Sequence, residues 1–260
     1  NGAIQVKLEN SHAIITGGAS GLGAATAAKI IKEGGKVTIV DLDEQKASAT
    51  VESLGDNSQY RIADVTDEDG IDRTINAARN EFGEVSLLAN CAGIGSPGRI
   101  IGRKGVLPLA DYARVISVNL IGSFNVLKAV ANSMQGNRTD EDGCRGLIVN
   151  TASVAGYEGQ VGQVAYASSK GGIIGLTLPA ARDLAQHGIR VVTIAPGLFD
   201  TPMMDGLPQD VQESLAKGTP FPQRLGKAGE YAELVISIFN NNMINGETIR
   251  LDGAVRLAPR

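Results

Sequence analysis

Between His12 and Asp41 the chain runs HAIITGGASGLGAATAAKIIKEGGKVTIVD. His12–Thr16 is an apolar run of strand length that leads directly into Gly17-Gly18-Ala19-Ser20-Gly21-Leu22-Gly23. The Ala- and Ile-rich residues that follow stop at Gly34-Gly35, as a helix does. A second apolar run, Lys36–Val40, ends at Asp41. Strand, glycine turn, helix and strand make one βαβ unit. Glycines in such a turn let the backbone approach a pyrophosphate and let the helix pack closely on the strand. The helix N-terminus then directs free N–H groups at the phosphates. An acid closing the second strand accepts hydrogen bonds from the 2′- and 3′-hydroxyls of an adenosine ribose. Asp41 would also repel a 2′-phosphate, and no Arg or Lys follows it directly. NAD(H) is therefore expected over NADP(H). The competing reading of the glycines is a bare structural loop, and the strand, helix and acid around them weigh against it.

The same alternation continues downstream. Gln59–Ala63, Val85–Ala89, Leu147–Thr151, Arg190–Ala195 and Glu247–Leu251 are strand candidates. Helix candidates lie between them: DEQKASATVESL, Asp67–Phe82 with Ile71, Ile75 and Ala78 at helical spacing, Ala110–Met134, the run through Tyr166 to about His187, and Ala228–Phe239. Strands alternating with helices imply a parallel sheet covered on both faces. The expected fold is α/β: a single-domain, Rossmann-type, doubly wound parallel sheet of about seven strands across residues 1–260. Ligands of such sheets bind outside the carboxyl ends of the strands. The glycine turn, Asp41, Asp64, Asn90, Ser153 and Pro196 all fall at such ends. Asp64 reads either as an acceptor for an adenine amino group or as a turn or cap residue. The small residues of Asn90-Cys91-Ala92-Gly93 leave room for a cofactor, and Cys91 reads as a packed small hydrophobe. Asn119 stands mid-helix, where Asn is mildly unfavourable and calls for a reason.

The chemistry-bearing stretch is Ser153–Lys170, SVAGYEGQVGQVAYASSK. On a helix Tyr166 and Lys170, four apart, share a face. A phenol titrates near ~10, and an adjacent ammonium is expected to lower the pKa of Tyr166 toward neutrality. A phenol so tuned exchanges protons with a substrate oxygen, and Ser153 is placed to hydrogen-bond the same atom. An exposed helix face is the bland alternative for Tyr-x-x-x-Lys taken alone.

The bulk properties narrow the rest. A chain of 260 residues that is 43% hydrophobic suits one large core. With net charge −4 and no long basic run, direct nucleic-acid binding is not expected. Two cysteines, Cys91 and Cys144, make neither a disulfide framework nor a metal cluster, so no metal is expected and a reducing compartment is the easier reading. No apolar run is expected to span a membrane. No leader pattern opens the chain, which favours the cytoplasm. The first residue is Asn1, which keeps a trimmed leader and the mitochondrial matrix open. Arg99, Arg103 and Lys104 form the only basic cluster of the 94–108 loop, read as a solvated loop or as contact with an anionic substrate tail. Asp200–Pro222, rich in Pro, Gly and Met, has the composition of a mobile substrate-covering segment. Its Met203, Met204 and Leu207, with Phe221, read as a pocket lining or as local core.

Taken in order, Thr16-Gly17-x-x-x-Gly21-x-Gly23, Asn90-Cys91-Ala92-Gly93, Asn119, Ser153, Tyr166-x-x-x-Lys170 and Pro196-Gly197 resemble the short-chain dehydrogenase/reductase family. The resemblance covers nearly the whole chain. It departs at Cys91, where the family more often has a second Asn. The stretches NTASVAGYEGQVGQVAY, GIRVVTIAPGLFDTPM and GETIRLDGAVR resemble the branch that oxidises 3-hydroxyacyl-CoA esters. The resemblance implies Tyr166 as general acid/base, Lys170 lowering its pKa and holding the nicotinamide ribose, Ser153 orienting the substrate oxygen, and Asn119 supporting a proton relay. It implies NAD bound by Gly17, Ser20, Gly21, Leu22 and Gly23, by Asp41, Asp64 and Val65, by Asn90, Cys91 and Gly93, and by Tyr166, Lys170, Pro196, Gly197 and Phe199. Substrate would meet Ser153, Gln163 and Tyr166. The implied partner is an acyl-CoA or similar small molecule, and the implied assembly is a homotetramer. Alternatives of the same fold are a 3-oxoacyl-carrier-protein reductase and a small-alcohol or hydroxysteroid dehydrogenase. From another class comes an NAD-binding scaffold subunit.

Overall fold

The structure is a computed structural model that describes residues 8–103, 105–205 and 215–259. Lys104, Leu207 and the middle of the 200–222 segment lie outside the described residues, as does the side chain of Met203. Seven strands build the central sheet: β1 (His12–Thr16), β2 (Lys36–Asp41), β3 (Ser58–Ile62), β4 (Leu87–Asn90), β5 (Gly146–Thr151), β6 (Ile189–Pro196) and β7 (Thr248–Leu251). Their order is β3-β2-β1-β4-β5-β6-β7, and every neighbouring pair is parallel. The order reverses between β1 and β4, which opens a crevice at the carboxyl ends of those strands.

The longer helices are α1 (Gly21–Lys32), α2 (Glu44–Leu54), α3 (Glu68–Phe82), α4 (Leu109–Ile116), α5 (Ser123–Met134), α6 (Val164–Ala185) and α7 (Ala228–Phe239). Side chains alternate across a strand, so the sheet divides the core in two. Ile15, Ile39, Leu87, Val149 and Val192 pack with Ile30 of α1 and with Tyr231 and Val235 of α7. Ile14, Val40, Leu88, Ile148 and Val191 face the other way, against Ile71 and Ile75 of α3 and Val126 and Val130 of α5. Each fully buried aliphatic side chain contributes roughly 1.5–3 kcal/mol.

Three expectations are corrected. The run Ala110–Met134 is not one regular helix, because a π-helical segment, Ser117–Gly122, joins α4 to α5. A π-turn inserts an extra residue and re-aims a side chain, and here that side chain is Asn119. The combined segment Leu109–Met134 is also long and apolar enough to cross a membrane by length and composition. Half of its most apolar window is buried inside the protein, as in a core helix. Finally, Phe221 is 82% exposed and is not local core. The 94–108 loop carries a small antiparallel hairpin, Ile101–Gly102 against Gly105–Val106.

Candidate active site

The glycine turn is shaped by close approach. Gly17 (φ +63) and Gly21 (φ +52) are left-handed. A Cβ on Gly17 would lie 2.8 Å from the Ala92 backbone, and one on Gly23 would collide with the Gly17 carbonyl oxygen. Ser20 stands at the N-cap of α1 with its side chain unused in capping and exposed. Asp41 braces this turn. Its Oδ2 accepts from Ala19 N at 3.1 Å, and its Oδ1 from Leu42 N and Asp43 N at 2.8 and 3.2 Å. Leu22 packs partly buried against the core.

Beyond β3, Asp64 Oδ1 accepts from both the amide and the hydroxyl of Thr66 at 2.8 Å. This is the turn arrangement that was the alternative reading of that residue. Val65 is buried, and its carbonyl accepts from Asn125 Nδ2. Asn90 is 2% exposed and spends its amide inside the protein. Its Nδ2 donates to the Ser123 carbonyl and to Asn150 Oδ1, and its Oδ1 accepts from the Thr16 hydroxyl. Its side chain therefore ties β1, β5 and α5 together beneath the crevice. Cys91 Sγ lies 3.7 Å from Thr151 Oγ1 and 3.8 Å from the Tyr231 hydroxyl, and burial pushes its pKa up. That is an inert thiol. Pro196 is buried at the end of β6, Gly197 is pressed against Asp252, and the Phe199 ring sits in the core against Gly226.

Ser153, Tyr166 and Lys170 converge at the end of β5. Ser153 caps a 3-10 turn, Val154–Gly156, with its Oγ accepting from Ala155 N, and its hydroxyl stands beside the Tyr166 phenol. Lys170 is buried. Its Nζ donates to the Thr151 carbonyl at 2.7 Å and lies 5.7 Å from the Tyr166 ring centroid. Gly93 passes close to Lys170 and Asn119: a Cβ there would be 3.3 Å from Asn119 Oδ1 and 3.7 Å from Lys170 Nζ. Asn119 clamps the next residue, accepting from Ile94 N at 2.8 Å and donating to Ile94 O at 2.9 Å, and it donates to Ser169 Oγ at 3.1 Å. No direct Asn119–Lys170 bond is present.

The electrostatics correct one expectation. Burial pushes the Tyr166 phenol up from its ordinary value, with the neighbouring Ser153 hydroxyl acting against that rise. Burial also pushes Lys170 down to about 8. The ammonium is aimed at the Thr151 carbonyl, not at the phenol, so desolvation dominates both groups. The phenol is thus held protonated, ready to act as an acid.

Gln163 occupies the N-cap of α6, and its Oε1 accepts from Gln160 N at 3.0 Å. It lines a cavity of about 450 Å³ with Arg99, Ile100, Ile101, Val161 and Val164. Arg99 and Arg103 are exposed on the hairpin side. A second cavity, about 410 Å³, lies between Leu42, Ala63, Asp64 and α3. Sequence reasoning missed Thr151, Ser169 and Tyr231, whose parts depend on contacts between distant segments. Among the described residues no group of His, Cys, Asp and Glu could hold a metal.

A glycine cradle with no room for side chains, an uncapped Ser20 and an acid at the end of β2 fit a dinucleotide, with Gly17, Ser20, Gly21 and Asp41 placed to hold it. Together with the Ser153, Tyr166 and Lys170 set, this defines an oxidoreductase that uses a nicotinamide cofactor. The pattern of the short chain dehydrogenase family matches residues 11–212, and the chain belongs to that family. It is 51% identical over 249 residues, 95% of each chain, to 3-hydroxyacyl-CoA dehydrogenase type-2 of Bos taurus. It is 47% identical over 254 residues to the protein of that name from Drosophila melanogaster, covering 97% of this chain and all of the other. The crystal structure of 3-hydroxyacyl-CoA dehydrogenase type-2 from Mycobacterium avium is similar at a TM-score of 0.93 and 41% identity, over 98% of this chain and 100% of that one.

Proposed function

We propose that this enzyme is an NAD-dependent 3-hydroxyacyl-CoA dehydrogenase that interconverts 3-hydroxyacyl-CoA and 3-oxoacyl-CoA esters. The observation that carries the reading is the placement of Tyr166, with Ser153 beside it, one helical turn along α6 from Gln163, which lines the cavity. The names of its relatives support the acyl-CoA assignment. Asp41, braced at the end of β2, supports NAD over NADP through its charge.

The bound nicotinamide supplies the hydride chemistry. The protein's own residues handle the proton. In the reducing direction the Tyr166 phenol donates a proton to the C3 carbonyl oxygen while the Ser153 hydroxyl holds that oxygen in place. In the oxidising direction the same phenol oxygen takes the proton from the C3 hydroxyl. Lys170, fixed by the Thr151 carbonyl, offers positive charge at the deprotonated phenol. Asn119 and Gly93 keep the loop beyond β4 close over Lys170. Arg99, exposed at the cavity, and Arg103, exposed on the adjoining hairpin, suit the phosphates of a CoA tail.

A spectrophotometric panel tests this reading: acetoacetyl-CoA and longer 3-oxoacyl-CoA esters, each with NADH and with NADPH. Turnover that is preferential for NADH is expected. Turnover restricted to NADPH, or to acyl-carrier-protein esters, would move the assignment to the reductase branch.

A further inference from the structure

The stretch Tyr157–Gln163 links Ser153 to the helix that carries Tyr166. It has no regular structure beyond one bridge from Gln163 to Gly98. Polar groups of a packed segment need partners, and besides bonds within itself and to its flanking turns this segment finds them on two sides. On the cavity side Gly98 N donates to Gly162 O at 2.8 Å. On the opposite side the partners are residues 255–259 and, for the Glu158 side chain, Arg250 as well. Val161 N donates to Pro259 O at 3.1 Å, Gln160 Nε2 to Ala258 O at 2.8 Å, and Leu257 N to Glu158 Oε2 at 3.0 Å.

Glu158 is the centre of this attachment. It takes Arg250 of β7 in a two-pronged grip, 2.8 and 3.3 Å, while Arg250 Nε reaches Asp252 at 2.7 Å. Arg256 lies 3.4 Å from Glu158 and 3.2 Å from Asp252. The Arg250 guanidinium also stands 5.2 Å from the Tyr157 ring. The acid–base chemistry uses none of these groups. Yet Gly159–Val164 is one wall of the cavity of about 450 Å³, and Gly98–Ile101 is the wall across from it. The substrate wall therefore hangs between a short bond at its inner edge and the 255–259 segment at its outer edge.

We infer that the segment Val255–Pro259, clamped through Glu158 and Arg250, is a specificity-determining strap that fixes the substrate wall and so sets which acyl groups the cavity accepts. The inference rests on the proposed function, which places the acyl substrate in that cavity. Glu158 acts through the loop it holds and is a positioning residue.

Two variants test it: Glu158→Ala in the full chain, and a chain ended after Val255, which removes only residues that are not buried among 256–259. Michaelis constants are measured across a series of 3-oxoacyl-CoA chain lengths, with that for NADH as an internal reference. Loss of two or three loop-holding hydrogen bonds should raise the constants for the longer acyl chains about tenfold. The constant for NADH should stay unchanged. An intact chain active on the series, with both variants matching it at every length, overturns the inference alone. An intact chain inactive on the whole series overturns the functional reading and the inference with it.

Discussion

At the scale of single residues, Tyr166 and Lys170 show how position and environment separate. Their four-residue spacing on one helix is plain in the sequence, and so is the Ser153 that closes the preceding strand. The sign of their electrostatics is not, because it depends on burial that only the packed sheet supplies. With the phenol pushed up, reduction should proceed at neutral pH with the phenol already protonated. Oxidation needs the deprotonated form, so its rate should climb as pH rises while the reduction rate falls. Paired pH–rate profiles check this, and parallel profiles would contradict it. On the proposed function, Asp41 sets the cofactor choice by charge. Asp41→Asn keeps an acceptor for Ala19 N while removing the charge. The ratio of NADH to NADPH affinity, measured by fluorescence titration, should then drop at least about tenfold.

The elements show which features a single sequence conceals. The βαβ start was legible because its signals are local: the limits expected for the first strand are those observed, and the second runs on only to Asp41. The π-turn at Ser117–Gly122 left one trace, an Asn in mid-helix, and its reason appeared only when Asn119 was found holding both backbone groups of Ile94. Asn119→Ala should cost about 2 kcal/mol of stability, read by chemical denaturation, because it orphans partly buried backbone groups. It should also reduce turnover through the loop above Lys170. Gly23→Ala should abolish dinucleotide binding in calorimetry, since its Cβ would meet the Gly17 carbonyl. Asn90 stood in the right place in the sequence, but the inward turn of its amide follows from Asn150 and Ser123, which lie far along the chain.

For the molecule as a whole, the doubly wound sheet was readable from the alternation of strands and helices, whereas the contacts that close it from behind were not. His12, fully buried at the foot of β1 between Thr38 and the Gly83 carbonyl, is one of these. Burial pushes it down to about 4 from an ordinary 6.5. The unfolded chain therefore binds the extra proton between those values, and His12 makes the fold lose stability as pH falls from 6.5 to about 4. The loss is about 3 kcal/mol at most. His12→Gln should flatten that part of the stability–pH curve, and an unaltered slope would contradict the assignment. The homotetramer implied by the family resemblance predicts that light scattering returns four chains per particle, and a monomeric particle would contradict it. The most direct test of the whole account compares Tyr166→Phe with the unaltered chain on acetoacetyl-CoA and NADH. Turnover should fall by about 10²–10⁴-fold while NADH affinity holds within twofold. A Phe variant that turns over at the original rate would contradict it.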